Sequence, residues 1–378
     1  MIKISTQITD GFPYEKIFLY FASVMVIILS FDAKIGFVLM FLFSVAVLVM
    51  RKSIELNSIG KNLLQQLLLL FAFGSISIYK PQLLFEEIFK VFVLLFICIS
   101  IPRKNVNYSI VFNMLLIVFA VSVFLYPFLL HDDRFKSFLS HPNHLAYLCV
   151  LITLYFLNSE DSLKPYKIFF LAFLVVLSKS SGGMISFVAL LFLYGARKNY
   201  RMAALSISSL VLFFLVWPLL REIELFSILT EKLNQFDMYE IFIKADNESF
   251  GSSGSFVWRL ASWLALLNEF DFLSGYQKVF GAGIGTMSSG NYLFDWMITD
   301  PHNDYIRVLM ERGILGGCAF YYVFFRLLKL SGDFWIFIPA TLIPMMVGNI
   351  LTSYSYILLL LLLILAMNQK KEAAPDGK

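Results

Sequence analysis

Residues 357–367, ILLLLLLILAM, form the kind of apolar run that decides the fold of this chain. The run contains no charged side chain and no alternation of polar and apolar residues. The apolar residues of the chain come in runs that are roughly 15 to 22 residues long. This is near the length that a helix needs to cross a hydrocarbon core about 30 Å thick. A transmembrane barrel would instead alternate polar and apolar side chains. The sequence therefore predicts an all-α polytopic membrane protein.

The composition agrees with a lipid environment. Hydrophobic residues make up 59% of the 378 residues and charged residues 15%, whereas soluble domains are about half apolar and about a quarter charged. Met1–Lys16 is polar, and the apolar run from Ile17 leads into the next without a cleavage site, so we expect no cleavable signal. The cysteines lie in apolar runs at unrelated spacings, which argues against disulfides, zinc and a thiol nucleophile: Cys98, Cys149 and Cys318.

The apolar pattern predicts about twelve spans. They lie at residues 17–31, 35–50, 63–79, 84–101, 109–130, 143–158, 167–178, 183–196, 202–220, 305–328, 334–350 and 353–367. Basic residues cluster in alternate connections: Arg51, Lys52, Lys61, Arg103, Lys104, Lys164, Lys167, Arg197, Lys198, Arg201, Arg326, Lys329, Lys370, Lys371 and Lys378. The positive-inside rule assigns these connections and both termini to the cytoplasm. The net charge of +4 then reflects sidedness rather than a nucleic-acid partner.

Residues 221–304 interrupt this pattern and predict one large extracytoplasmic loop. The chain then divides into residues 1–220 with nine spans, the loop, and residues 305–378 with three spans and a short cytoplasmic tail. Within the loop, apolar spacing predicts an amphipathic helix over Phe256–Phe270, and Gly281–Gly285 predicts a turn. No buried strand precedes these glycines, so they are not a dinucleotide fingerprint. The chain also lacks the internal repeat that is usual in transporters.

One extracytoplasmic candidate site is Asp300-Pro301-His302-Asn303. Asp300 fits a helix N-cap and Pro301 the first helical position, which would place His302 in the opening turn. The positive end of a helix binds anions and favours the neutral imidazole that a general base needs. The alternative is a capped helix start with a solvated histidine.

Two cationic positions are further candidates. Arg259 and Trp263 are four residues apart on one face of the predicted amphipathic helix, where a guanidinium can clamp a diphosphate; a cation–π pair at the headgroup level is the alternative. Lys179 lies in a polar break, Ser178–Gly183, at a depth where ionisable residues are functional candidates. A lysine that snorkels from a helix end is the alternative reading there.

A stretch with three histidines follows the fifth predicted span. His141 and His144 are three residues apart with acidic residues nearby, but no third metal ligand has suitable spacing, so we expect no metal site. Arg134, in the same stretch, shares the predicted extracytoplasmic side with Lys179, Arg259 and His302. These residues would suit a lipid-linked diphosphate as substrate, because the cations would bind its negative charge and a neutral histidine would accept a proton from an incoming hydroxyl.

These residues resemble the O-antigen polymerase and O-antigen ligase family of bacterial envelope glycosyltransferases. The resemblance covers roughly residues 130–317. It is carried by Pro301–Tyr305 with Glu311–Gly316, by Arg259 with Trp263, by Gly281–Gly285, by Arg134–Ala146 with its Pro142-Asn143, and by Ser178-Lys179. It implies a GT-C-like membrane enzyme, multi-pass in the bacterial inner membrane, which works on the periplasmic face. Its substrate would be an undecaprenyl-diphosphate-linked oligosaccharide, joined to an acceptor hydroxyl without metal or cofactor.

The resemblance also implies roles for single residues. His302 matches the family histidine that is proposed to activate the acceptor, and Arg259 matches an arginine proposed to hold the diphosphate. Lys179 stands where the family commonly has arginine, which keeps the charge but loses the planar fork, and Arg134 is a further diphosphate ligand. Candidate acceptor or sugar contacts are Asn303, Asp304, Tyr305, Trp263 and Asn143.

The acceptor remains open between two activities. The Arg134–Ala146 stretch favours a polymerase, which joins lipid-linked repeats, over a ligase, which joins the glycan to lipid A core. A chain-length regulator protein is an added candidate partner. The alternatives outside this class are a secondary transporter, for which Glu86, Glu87 and Lys90 would be the intramembrane charges, a purely structural membrane protein, and an intramembrane serine protease.

Overall fold

The computed structural model describes residues 13–31, 33–50, 61, 64–65, 68, 88–89, 91–96, 106–131, 134–198, 251–287, 293–294, 297, 300–351 and 353–373. The predicted spans at 63–79, 84–101 and 202–220 lie largely or wholly outside these residues. So do most of the N-terminal half of the predicted loop, and Glu86, Glu87 and Lys90.

The described part of the chain is mostly helical. Its first six helices are α1 (Pro13–Phe31), α2 (Ala33–Met50), α3 (Ser109–Phe124), α4 (Pro142–Leu157), α5 (Lys164–Leu177) and α6 (Ser181–Lys198). The other five are α7 (Gly251–Phe272), α8 (Gly275–Phe280), α9 (Asp304–Lys329), α10 (Phe334–Val347) and α11 (Tyr354–Ala373). A 3₁₀ turn, Tyr126–Phe128, and an antiparallel pair, β1 (Leu130–His131) with β2 (Arg134–Phe135), join α3 to α4.

Helix α4 lies at the centre of the bundle. It packs against α5, α6, α10 and α11, and every residue from Leu145 to Leu157 is buried. A helix that is apolar on all sides is stable only where neighbours cover all of it. Helix α11 is similarly enclosed from Leu358 to Met367 and packs between α1 and α4. The apolar run at residues 357–367 is therefore part of the core.

Nine of the predicted spans fall on helices of the structure. The helix at the span predicted over 109–130 is shorter than expected, because α3 ends at Phe124. The chain then passes through the turn Tyr126–Phe128, which contains a proline, into the β1–β2 pair. The helix predicted over Phe256–Phe270 is confirmed within the longer α7, and the turn at Gly281–Gly285 is confirmed.

Among the described helices, one is long and apolar enough to cross a membrane, Asp304–Lys329, by length and composition alone. Six shorter apolar helices accompany it, at Lys16–Leu29, Ser109–Phe124, Pro142–Leu157, Ser181–Arg197, Phe334–Val347 and Tyr354–Lys370. The long helix, α9, is broken at Gly313, whose φ of 64° and ψ of −173° are not helical. Its first nine residues therefore form a separate short piece that leads to the candidate site.

Candidate active site at the histidine end

The helix ends meet at two chemically different ends of the bundle. The histidine end is defined by Arg134, Arg259 and His302, and it gathers the starts of α4, α6 and α9 with the end of α10. The lysine end lies opposite and is defined by Lys164, Lys167, Arg197 and Lys370. All four histidines of the chain lie at the histidine end, as the contacts below show.

Arg134 joins two of these helix ends. Its Nε donates to the carbonyl oxygen of Ser178, at the end of α5, over 3.0 Å, and its Nη2 donates to Oδ1 of Asn143 over 2.6 Å. Asn143 lies in the first turn of α4, where its backbone N–H donates to Nδ1 of the N-cap residue His141. Asn143 therefore holds the predicted diphosphate ligand in place.

Arg259 lies on α7, next to the end of α10. Its Nη1 donates to the carbonyl oxygen of Val347 over 3.3 Å, while its buried Nε has no hydrogen-bond partner among the described residues. Burial lowers the pKa of Arg259, and the nearby charge of Arg134 lowers it further. The two guanidinium groups thus repel each other across the same space, and this end favours an anion.

His302 precedes α9 rather than lying in its first turn. The prediction that Asp300 is the N-cap of this helix is wrong. Asn303 is the N-cap, because its Oδ1 accepts hydrogen bonds from the backbone N–H groups of Tyr305 and Ile306. His302 adopts a left-handed φ of 49°, which costs about 1–3 kcal/mol outside glycine.

The imidazole of His302 is held in its neutral form. Burial lowers its pKa to about 4, and the charge of Arg259 is the next largest cause. The sequence prediction of a neutral histidine thus agrees with the structure, but the physical cause is burial beside an arginine rather than the helix dipole.

A polar chain leads from α9 back to His302. Arg307 is 3% exposed and its Nη2 contacts Oδ2 of Asp300 at 3.1 Å. The same Oδ2 lies 3.4 Å from Nδ2 of Asn349, which in turn lies 3.3 Å from Nδ1 of His302. Arg307 thus forms its ion pair with Asp300, which precedes α9, rather than with a carboxylate of α9 alone.

The predicted acceptor contacts on α9 serve the protein itself in this structure. Asp304 is fully buried, and its Oδ2 accepts from the backbone N–H of Leu351 over 3.1 Å. The hydroxyl of Tyr305 donates to the carbonyl oxygen of Leu342 over 3.1 Å, and its ring stacks on Tyr321. Both side chains therefore tie α9 to the α10–α11 region.

Trp263 is also a structural contact. Its Nε1 donates to the carbonyl oxygen of Pro301 over 2.7 Å, which fixes the residue before His302. The indole is buried in a small second core, with Leu266, Met287, Met297, Ile306 and Met310. This geometry places the indole within the protein rather than against Arg259.

The glycine turn docks into the break of α9. Backbone N–H groups of Ala282 and Gly283 donate to the carbonyl oxygens of Met310 and Glu311, which the break at Gly313 leaves without helical partners. Gly281 has φ 92°, and a Cβ there would lie 2.2 Å from the carbonyl oxygen of Glu311. Only glycine fits this approach.

The remaining histidines form a cluster beside Arg134. The ring centroids of His131 and His141 are 5.5 Å apart, and those of His141 and His144 are 6.0 Å apart. Burial lowers the pKa of His141 to about 3, and the neighbouring charge of Arg134 lowers it further. Within the described residues, no group of three or more His, Cys, Asp or Glu side chains is placed to hold a metal ion.

Lys179 occupies the corner between α5 and α6. Its backbone is left-handed, with φ 50°, and its side chain is exposed. It directly follows Ser178, the residue whose carbonyl oxygen Arg134 contacts, so the lysine stands at the rim of the same site. Its side chain makes no hydrogen bond or ion pair with a described residue.

Two residues near this end, Asn349 and Tyr147, are not among the residues that the sequence singles out. Asn349 lies in a short connection after α10, and Tyr147 is one apolar-looking position of a buried helix. The ring of Tyr147 fits against Gly182 and Gly348, where a Cβ would come within 2.8 Å and 3.1 Å of its hydroxyl oxygen. The glycines at both helix ends were the only local signal for that close packing.

Some of the site residues fall within a region that matches a known protein family. Residues 167–321 match the family model described as O-antigen ligase. This region of the chain is therefore similar to the O-antigen ligase and polymerase family. Members of this family are glycosyltransferase-like enzymes of the bacterial inner membrane that use lipid-linked glycans. The matched region includes Lys179, Arg259 and His302. No curated protein matches the chain.

Proposed function

We propose that the chain is an O-antigen polymerase, which transfers an undecaprenyl-diphosphate-linked glycan to the hydroxyl of another lipid-linked repeat on the periplasmic face. The observation that carries the proposal is the convergence of Arg134 and Arg259 beside a neutral His302, from three distant stretches of the chain. Two repelling guanidinium groups favour an anionic ligand, and a diphosphate accepts their paired N–H donors.

The proposed reaction is a direct displacement. The acceptor oxygen forms a bond to the anomeric carbon, while the bond from that carbon to the diphosphate oxygen breaks and leaves its electron pair on the diphosphate. Arg259, Arg134 and the rim residue Lys179 stabilise that charge. The proton of the acceptor hydroxyl ends on the departing diphosphate, and the imidazole of His302 lies beside the reacting oxygens to accept or donate a hydrogen bond during this transfer.

The stereochemistry of the product tests this displacement. Attack opposite the leaving group inverts the anomeric centre, so we expect product linkages of the configuration opposite to that of the donor. Nuclear magnetic resonance of the polymer and of the lipid-linked repeat compares the two configurations directly. Retention would contradict the proposal, since it requires a covalent glycosyl-enzyme step.

Ligase activity is the second candidate, because the family match covers both activities. A deletion strain separates them through its surface polysaccharide. Loss of long chains, with one repeat still attached to lipid A core, supports the polymerase; loss of all attached O-antigen supports the ligase.

The predicted sidedness, with cytoplasmic termini, is tested by labelling cysteines introduced at residues 3 and 378 in intact cells.

A further inference from the structure

Asn349 lies against the reacting histidine, outside every motif that the family resemblance uses. It follows the end of α10 at Gly348, and its Nδ2 lies 3.3 Å from Nδ1 of His302 and 3.4 Å from Oδ2 of Asp300. One amide group therefore contacts both the imidazole and the carboxylate beside it.

The carboxylate decides which way this amide faces. Oδ2 of Asp300 also receives a hydrogen bond from Arg307, a cation that is 3% exposed. A carboxylate paired with arginine offers only acceptors, so the NH₂ group of Asn349, and not its oxygen, faces Asp300. The same NH₂ group faces Nδ1 of His302, which must then accept. A neutral imidazole that accepts at Nδ1 carries its proton on Nε2.

We propose that Asn349 is a positioning residue that holds the neutral imidazole of His302 in the Nε2–H form, so that His302 donates a hydrogen bond to the oxygen of the departing diphosphate. This inference rests on the proposed function. The charge of Arg259 is close enough to lower the pKa of His302. The imidazole therefore lies beside Arg259, the residue that we propose binds the diphosphate. The displaced acceptor proton is taken up by the released diphosphate, which balances the reaction without a further base.

This assignment changes the role that the resemblance implies for His302. A general base needs a lone pair on the nitrogen that meets the acceptor hydroxyl. In the Nε2–H form that nitrogen has none, and Nδ1 is engaged by Asn349. For Nε2 to act as a base, the proton of the imidazole would have to lie on Nδ1. The amide of Asn349 would then have to present its oxygen to Nδ1 and give up its N–H contact with Asp300.

Nitrogen-15 resonance of the histidine rings reads the tautomer directly. The full chain is labelled at its four histidines and placed in lipid nanodiscs at neutral pH, and His302 is assigned by its loss in His302→Gln. We expect a protonated Nε2 and an unprotonated Nδ1 in the natural chain, and a tautomer mixture in Asn349→Leu. A protonated Nδ1 in the natural chain overturns the proposal. Asp300→Asn gives a second readout if Asn349→Leu does not fold, because an amide in place of the carboxylate offers donors as well as an acceptor and no longer fixes which way the amide of Asn349 faces.

Turnover of a lipid-diphosphate-linked glycan separates this inference from the proposed function. We expect Asn349→Leu to lower kcat about tenfold, which is less than the roughly 10²–10⁴-fold contributed by a proton-transfer group itself, with KM nearly unchanged. Asn158→Leu, at the lysine end, is the matched control. If His302→Gln keeps full turnover, the proposed role of His302 fails. If His302→Gln is inactive but Asn349→Leu keeps full turnover, the positioning role alone fails.

Discussion

The histidine end and the lysine end of the bundle use their cations in opposite ways. At the lysine end, Lys167 pairs with Asp161 at 2.5 Å, Arg197 pairs with Asp333, and Lys370 donates to the carbonyl oxygen of Asn158. At the histidine end, Arg259 makes no ion pair with a carboxylate in the described part of the chain, and it lies beside a second arginine. At the lysine end, two of these cations are paired with carboxylates, whereas Arg259 contacts a backbone carbonyl oxygen. This difference supports our proposal that Arg259 binds an anion.

A substitution of Arg259 is expected to have the largest effect on the difference between the two ends. We expect Arg259→Ala to lower turnover of a lipid-diphosphate donor about 10²–10³-fold, the effect of removing one preorganised donor to a developing negative charge. Arg326, exposed at the other end of α9 over the ring of Tyr322, supplies the control. Equal turnover in Arg259→Ala and Arg326→Ala would mean that the two ends do not differ in function.

A second change asks whether the histidine end depends on the glycine turn. Gly281→Ala would force a Cβ to within 2.2 Å of a backbone oxygen at a φ of 92°, so we expect a loss of about 2–4 kcal/mol in stability. Gly275→Ala is the control, because no atom lies within 4 Å of its added Cβ. The midpoint of heat-induced unfolding in detergent measures both; an unchanged midpoint in Gly281→Ala would contradict the packing described.

Much of this contrast could be predicted from the sequence. Apolar runs placed nine helices, and basic residues beside them marked one end, because burial and sidedness are local properties of a segment. Arg134, Arg259 and His302 were identified by residue type and by resemblance. The contacts between them depend on which helix ends meet, so the contact of Asn349 with His302 carried no local signal. The capping role of Asn303 is local, but Asp300 before Pro301 offered a competing N-cap signal. Trp263 and Asp304, which we expect to meet a sugar, also make hydrogen bonds within the protein, and their contact with a sugar stays a prediction.

The titration of His302 tests the electrostatic side of the comparison. Its pKa of about 4 lies below the ordinary value of 6.5, so the unfolded chain binds the proton more readily and stability falls as the pH drops from about 6.5 toward 4. We expect a midpoint near pH 4 by NMR, and a higher midpoint in Arg259→Gln, because a neighbouring positive charge is removed. A midpoint near 6.5 would show that His302 is solvated.

The smallest expected effect is at Lys179. Because its side chain is exposed at the rim, we expect Lys179→Ala to weaken donor binding only up to about fivefold, in the range of an exposed charge contact. Lys179→Arg should preserve or improve binding through its planar fork. Lys329→Ala, at the end of α9 nearest the lysine end, is the control. A complete loss of turnover in Lys179→Ala would place this lysine at the reaction centre.

Binding of undecaprenyl diphosphate to the full chain in lipid nanodiscs tests the central claim most directly. We expect the natural chain and Arg326→Ala to bind it alike, and Arg259→Ala to bind it at least about tenfold more weakly, as loss of a buried charge-assisted contact predicts. Equal binding by all three proteins would contradict the assignment of the histidine end as the diphosphate site.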